Sequence, residues 1–290
     1  MPSNQACSKA AISPLVRLFV ERSGFDPTTK PDEVMAGLIE RVRRERRRRK
    51  LRNQIQLFLD ERRINRIELL SDLSCDGLIE PTGHVFVDGF RMLLKRSSAE
   101  PRMRFTIAHE ICHTFFYELV PEIKFIPHEP DEQEERLCNF GAAALLVPPH
   151  SLRRRAAKLP VSLESLQCLA EDYTVSLPTM ALRLRALDIW RCQFSRWRRM
   201  LNGTFMLDRL YGGKQADWKW ADESILATAW NSTEPQKGHS FVSYEDDHGV
   251  QRYKPVSYEV RRSVDGVTAL WGSAVATKML SSPPPLFGPN

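Results

Sequence analysis

Apolar residues recur at steps of three and four along two central stretches of this chain, and alternate with polar ones along shorter stretches nearer the C-terminus. The helical spacing is densest from Arg104 to Tyr117, and again from Glu135 through Ala142 and Leu145 to Pro148; each predicts an amphipathic helix. Ser97-Ser98-Ala99-Glu100-Pro101 carries an S-x-x-E capping signal in front of the first. Upstream, Pro31-Asp32-Glu33 supplies a helix start. Val34, Leu38, Val42, Leu51, Ile55, Leu59 and Ile64 then predict one long helix or two. Leu78-Ile79-Glu80, His84 to Val87 and Phe90 to Leu94 predict short strands, turning at Pro81-Thr82-Gly83 and Asp88-Gly89. Pro121 to Asp131 breaks the pattern and predicts a loop.

After Pro148-Pro149, helical runs are expected over Ser151 to Lys158, from Val161 to Tyr173, and over Thr179 to Trp190, with a break at Thr174 to Pro178. The last two have helix–turn–helix spacing, with Arg183 and Arg185 on the second; this is either a DNA-reading unit or a packing module. From about Gln193 the runs Ser240 to Tyr244 and Val256 to Val260 alternate, with hairpin turns at Asp246-Asp247-His248-Gly249 and Val264-Asp265-Gly266. Five of the six tryptophans fall here. The expected plan is a helical segment over 1–70, a mixed core over 71–150, a helix–turn–helix-like segment over 151–192, a β-rich α+β domain over 193–280, and a disordered tail over 281–290. The fold class is α+β.

Composition narrows the picture. At 290 residues, 42% hydrophobic and 27% charged, the chain matches a soluble globular protein. No apolar run approaches the length needed to cross a bilayer, so no membrane partner is expected. Ala10 to Val20 is broken by Pro14 and Arg17 and has no positive cluster before it, which argues against a secretory signal. The six cysteines lack paired spacing, which predicts reduced thiols and a cytoplasmic protein. The net charge of +6 is local: residues 1–70 hold 16 Lys/Arg against 9 Asp/Glu. It concentrates in Arg43, Arg44, Arg46, Arg47, Arg48, Arg49, Lys50 and Arg52. That run is either a solvated helix face or a salt-sensitive surface for nucleic acid or an acidic partner.

The chemistry centres on His109-Glu110-Ile111-Cys112-His113. Two histidines four residues apart on one helical face can turn ring nitrogens to the same zinc ion, and Glu110 is then placed to take a proton from water. The metzincin extension would need Gly and His where Phe116 and Leu119 stand, so that subclass is excluded. A carboxylate from the following helix remains. Among Asp131, Glu132, Glu134 and Glu135, the choice falls on Glu135, taken as in phase with Leu137, Cys138, Ala142 and Leu145, and the other acids are expected to be solvated. Asn139, one turn later, either accepts a hydrogen bond from a ligating histidine or bonds to backbone inside its helix. Tyr117, His128 and His84 are all candidates for oxyanion stabilisation.

Two linked stretches carry a resemblance. Arg104-Phe105-Thr106-Ile107-Ala108 leading into the histidine motif, followed by Glu135-Arg136-Leu137-Cys138-Asn139 and a small-residue helix ending at Leu146-Val147-Pro148, closely resembles the ImmA/IrrE metallopeptidases. Asp76 to Gly83 looks like that family's strand region. The resemblance implies a minimal zincin-like (gluzincin) fold, a helix–turn–helix segment and a GAF-like sensor domain in that order. It implies one Zn2+ per chain, Mn2+ being the alternative ion, with His109, His113 and Glu135 as ligands and Glu110 as general base. It also implies a protein substrate, a helix–turn–helix transcriptional repressor cleaved in a stress, DNA-damage or mobile-element response. The Arg41 to Arg52 run has no counterpart in that pattern. Two other readings stand beside it: a DNA-binding regulator with a structural metal, and a phage-defence or toxin-like protease of the same chemistry. The sequence says nothing of oligomeric state.

Overall fold

The computed structural model describes residues 12–45, 54–96, 99–120, 131–211, 219–220, 222–245 and 250–273. They form two compact units that divide between Pro148 and Pro149. Among them, no helix is long and apolar enough to cross a membrane, and all five described cysteines are free.

In the first unit, helices α1 (Pro14–Arg22), α2 (Pro31–Glu45) and α3 (Gln54–Glu61) precede three short strands, β1 (Ile64–Leu70), β2 (Gly77–Pro81) and β3 (Phe90–Lys95). Then come the two long helices α4 (Glu100–Leu119) and α5 (Glu132–Leu146). The strand order is β1-β3-β2, with β1 parallel and β2 antiparallel to β3. Ile79, Phe90, Met92 and Leu94 turn inward against α4, whose Ala108, Ile111, Cys112, Phe115 and Phe116 are buried. The far end of α4 is fixed by Arg62. That side chain is 6% exposed, donates to Thr114 Oγ1 and to its carbonyl, pairs with Glu118, and lies over the Phe115 ring.

Four details depart from the sequence expectations. Ile64 begins β1 instead of extending a helix, because Arg63 takes a left-handed φ of 54° and ends the chain's helical run. His84 to Val87 form a turn held by Asp88, whose carboxylate accepts from the His84 amide, so β2 and β3 close through a longer loop than expected. Helix α4 begins after Ala99 with no side-chain cap; Pro101 and Glu100 in the first turn do the work assigned to serine. Helix α5 begins three residues earlier than expected, because Asp131 accepts from the amides of Gln133 and Glu134.

The second unit opens with α6 (Pro149–Ala156), α7 (Leu163–Tyr173) and α8 (Leu177–Ala186). Six strands follow: β4 (Cys192–Arg199), β5 (Phe205–Tyr211), β6 (Lys219–Trp220), β7 (Gln236–Glu245), β8 (Gln251–Ser263) and β9 (Gly266–Ser273), with α9 (Ser224–Asn231) between β6 and β7. They make one antiparallel sheet of order β5-β4-β9-β8-β7-β6. One face buries Trp197, Val260, Val267, Ala269 and Trp271 against Trp220 and the α9 residues Ile225, Leu226 and Ala229. The opposite face meets α7 and α8: the Leu163 amide donates to Glu259, 3.1 Å away. No boundary therefore falls at residue 192. The helix–turn–helix-like helices are one layer of the sheet domain, the packing alternative of the two, and Arg183, which a DNA-reading unit would expose, is 3% exposed. The Asp246 to Gly249 turn and the 281–290 tail lie outside the described residues.

Candidate metal centre

The centre grows from the helical register of α4. Four residues is just over one turn, so His109 and His113 stack on one face. Their Nε2 atoms approach to 3.0 Å. Glu135 comes from α5, which packs along α4, and its two oxygens lie 3.2 Å from His109 Nε2 and 3.4 Å from His113 Nε2. A tetrahedral zinc with bonds of about 2.0–2.2 Å holds its ligand atoms roughly 3.3–3.6 Å apart. The three observed separations sit close to that figure, and two imidazole lone pairs with a carboxylate converging on one point suit a shared divalent cation. The residues present fit the ion.

Each ring is held from behind by the same helix. His109 Nδ1 donates to Asn139 Oδ1 at 3.2 Å, and His113 Nδ1 donates to Glu134 Oε1 at 2.7 Å. With Nδ1 carrying the proton, Nε2 of each ring offers its lone pair to the centre. Glu135 and Asn139 stand one turn apart on α5; Glu134 is rotated a step inward, toward Leu137, Cys138 and Gly141, and is 8% exposed. The expectation that the other acids are solvated is thus wrong for Glu134. It precedes Leu137 and Cys138 by three and four residues, a signal of the buried face that was available in the sequence.

Glu110 lies beside this set, 6% exposed. Burial pushes its carboxyl above the ordinary value and Glu135 adds to that, while the nearby His113 and His109 and the Ile79 amide, which donates to it, pull it down. Glu135 shows the opposite balance: with no ion bound, His109 and His113 rings protonated at Nε2 hydrogen-bond to it and hold its carboxyl far below the usual range, and a bound cation would take the place of those protons. Gly77 is what lets β2 come so close. A Cβ there would lie 2.5 Å from Thr106 Cγ2 and 2.9 Å from Glu110 Oε1. At Gly141, likewise, a Cβ would lie 2.6 Å from Cys112 Sγ, so α5 can pack tightly on α4.

A second group of potential ligand atoms, His113, Glu134 and Cys138, shares one ring with the first. Its thiol is buried, and burial raises the Cys138 pKa to about 11. Of the oxyanion candidates, Tyr117 lies one turn beyond His113; burial raises its phenol, with His113, Glu134 and Glu110 close enough to act on it. His84 sits in the β2–β3 turn beside Phe86, and His128 lies outside the described residues. In the basic run, Arg43 is turned inward. It pairs with Glu40 and donates to the Ala144 and Leu145 carbonyls at 2.8 and 2.7 Å, satisfying the open C-terminal end of α5. Arg44 is exposed; Arg46, Arg47, Arg48, Arg49, Lys50 and Arg52 lie outside the described residues.

Comparison with known proteins gives likenesses of two kinds. Residues 80–185 match the family described as Peptidase_M78, the IrrE N-terminal-like domain. That span runs from β2 through both helices of the centre and on to α8, across the division at Pro148. A solved structure, a Mycobacterium tuberculosis transcriptional regulator, is similar in fold at a TM-score of 0.50 and 13% identity, over 89% of this chain and 80% of that one. No curated protein sequence matches.

Proposed function

Residues 80–185 belong to the ImmA/IrrE metallopeptidase family, and on that premise we propose that this chain is a zinc-dependent endopeptidase acting on a regulatory protein, a helix–turn–helix repressor in particular. The observation that carries the proposal is the convergence of His109, His113 and Glu135 at 3.0–3.4 Å, with a separate hydrogen-bond acceptor behind each ring. Bound there by these three residues, zinc would supply a Lewis acid and a water of lowered pKa.

The chain's own groups do the rest. Glu110 accepts a proton from the water that attacks the scissile carbonyl and returns it to the departing amine nitrogen. Its burial favours that exchange, since a carboxylate of raised pKa both takes and gives a proton more readily near neutrality. The amide of Ile79 aims Glu110. Asn139 and Glu134 keep the rings in one tautomer, and Tyr117, whose nearness to His113 and Glu110 supports the role, donates to the developing oxyanion. Zn2+ fits this nitrogen- and oxygen-rich set, with Mn2+ the alternative ion.

The second unit is read as a GAF-like sensor, supported by its single antiparallel sheet with helices on both faces. A cytoplasmic setting is part of this reading, supported by the free thiols among the described residues. The rival reading, a DNA-binding regulator with a structural metal, draws on the likeness in fold to a transcriptional regulator. The burial of Arg183 and the absence of thiolate from the first ligand set weigh against it. The test is Glu110→Gln, assayed for cleavage of helix–turn–helix repressors encoded beside the gene. Full metal content with cleavage reduced at least about a hundredfold is expected. Cleavage at the wild-type rate sinks the mechanism.

A further inference from the structure

On the first helix of the second unit, four residues share one face: Ser151, Arg154, Arg155 and Lys158, at the three- and four-residue steps of a helix and its continuation. Together with Asp172 and Tyr173 at the end of α7 they line a cavity of about 450 Å3. Its charges do not cancel. Asp172 is taken by Arg155, whose Nε donates to it at 2.7 Å, while Arg154 and Lys158 have no carboxylate partner among the described residues. The hydroxyls of Ser151 and Tyr173 lie 2.7 Å apart. Whichever donates, the other keeps a free O–H to offer. The cavity thus presents two unpaired cations and a spare hydroxyl donor, and its one carboxylate is already engaged.

A ligand for such a wall must be an acceptor and an anion. A phosphomonoester, with about two negative charges near neutrality and three acceptor oxygens, matches two cations and a hydroxyl group by group. The shape points to a small molecule over a nucleic-acid strand. Arg153, which would spread the charge into a stripe along α6, donates instead to the Leu187 carbonyl at 2.8 Å. The volume also exceeds what a bare phosphate needs and lies within the range of small-ligand pockets. We propose that this cavity binds a small phosphorylated molecule, with Arg154, Lys158 and the Ser151–Tyr173 hydroxyl pair holding its phosphate.

Calorimetric titration of the full chain with inorganic phosphate, AMP and adenosine at fixed ionic strength tests this, with an Arg154→Gln/Lys158→Gln variant alongside. Both changed residues are exposed, and unchanged metal content and thermal unfolding check the fold. Binding of AMP or phosphate that weakens at least tenfold in the variant, with adenosine inert, is the expected result. Ser151→Ala/Tyr173→Phe, which removes both hydroxyls of the pair, should also weaken it while leaving the charge intact. Equal binding by wild type and variant overturns the proposal, as does adenosine binding as well as AMP. Failure of both phosphate and AMP to bind at millimolar concentration also overturns it. A DNA duplex that binds through Arg154 and Lys158 while both small probes stay inert would transfer the surface to nucleic acid.

Discussion

Glu134 Oε1 lies 2.7 Å from His113 Nδ1, behind the nitrogen that faces Glu135. Two adjacent acids on one helix thus address opposite sides of a single ring. One sits where a metal ligand belongs, and the other fixes which nitrogen carries the proton. His109 is backed by a neutral amide instead, at 3.2 Å, so the two histidines are unequal in the electron density they can offer.

Glu134→Ala should therefore cost more than Asn139→Ala in metal binding. A zinc affinity about 10–100-fold weaker is expected for the first, with recovery toward wild type in Glu134→Gln, which keeps an acceptor oxygen. Competition with a chromophoric chelator measures both. Equal affinities for wild type and Glu134→Ala would reduce Glu134 to packing.

His109→Ala, His113→Ala and Glu135→Ala should each abolish stoichiometric metal, one ion per chain in the wild type, as read by elemental analysis. A Glu135→Ala protein that retains a full complement would hand the third position to Glu134.

Gly77→Ala introduces a methyl 2.5 Å from Thr106 and 2.9 Å from Glu110. Overpacking of this kind costs about 1–3 kcal/mol, and here it falls on the contact that aims Glu110, the proposed general base. Metal content should stay near wild type while kcat drops and KM changes little. Wild-type kcat would show that β2 can yield without disturbing Glu110.

Arg43→Met should lower the unfolding free energy by roughly 1.5–3 kcal/mol, because it removes a charged donor from two carbonyls at the end of α5. Any affinity for DNA should survive it and fall instead when Arg44 and the residues after it are neutralised, with a salt dependence that flattens in step. Gel shifts at two salt concentrations separate the two roles.

A fragment ending at Pro148 should fold and bind metal, since every residue of the proposed centre lies before the division between the units. A fragment ending near Trp190 keeps α7 and α8 without the sheet they cover, and should aggregate. Metal content and solubility of the two fragments decide it; a soluble, cooperatively unfolding 1–190 product would contradict the boundary drawn here.

The part of this molecule that could be read in advance is the part with helical period. The spacing of His109, Glu110 and His113 brings them to one face, and Glu135 and Asn139 arrive opposite because a four-residue step is nearly a full turn. Glu134 has the phase of Leu137 and Cys138 and therefore lies inside, where Glu135 does not. Chain reversals were harder. Nothing in Ile64's neighbourhood announces that Arg63 will turn left-handed and start a strand, and β1 pairs with a partner some twenty-five residues away. Arginine misled twice, at Arg43 and Arg183. A long aliphatic stem lets a guanidinium sit in the interior where backbone carbonyls await it, and charge alone does not reveal which arginines do so.

All six tryptophans of the chain follow Pro149, and within the sheet domain the indole nitrogens of Trp197 and Trp271 both donate to the buried hydroxyl of Ser195, at 3.0 and 3.1 Å. The first unit is consequently dark in indole emission. Fluorescence from the intact protein reports on the sheet domain alone, and metal release reports on the other half. The two can be followed through one melting curve, so whether the halves come apart together or in turn is visible without cutting the chain.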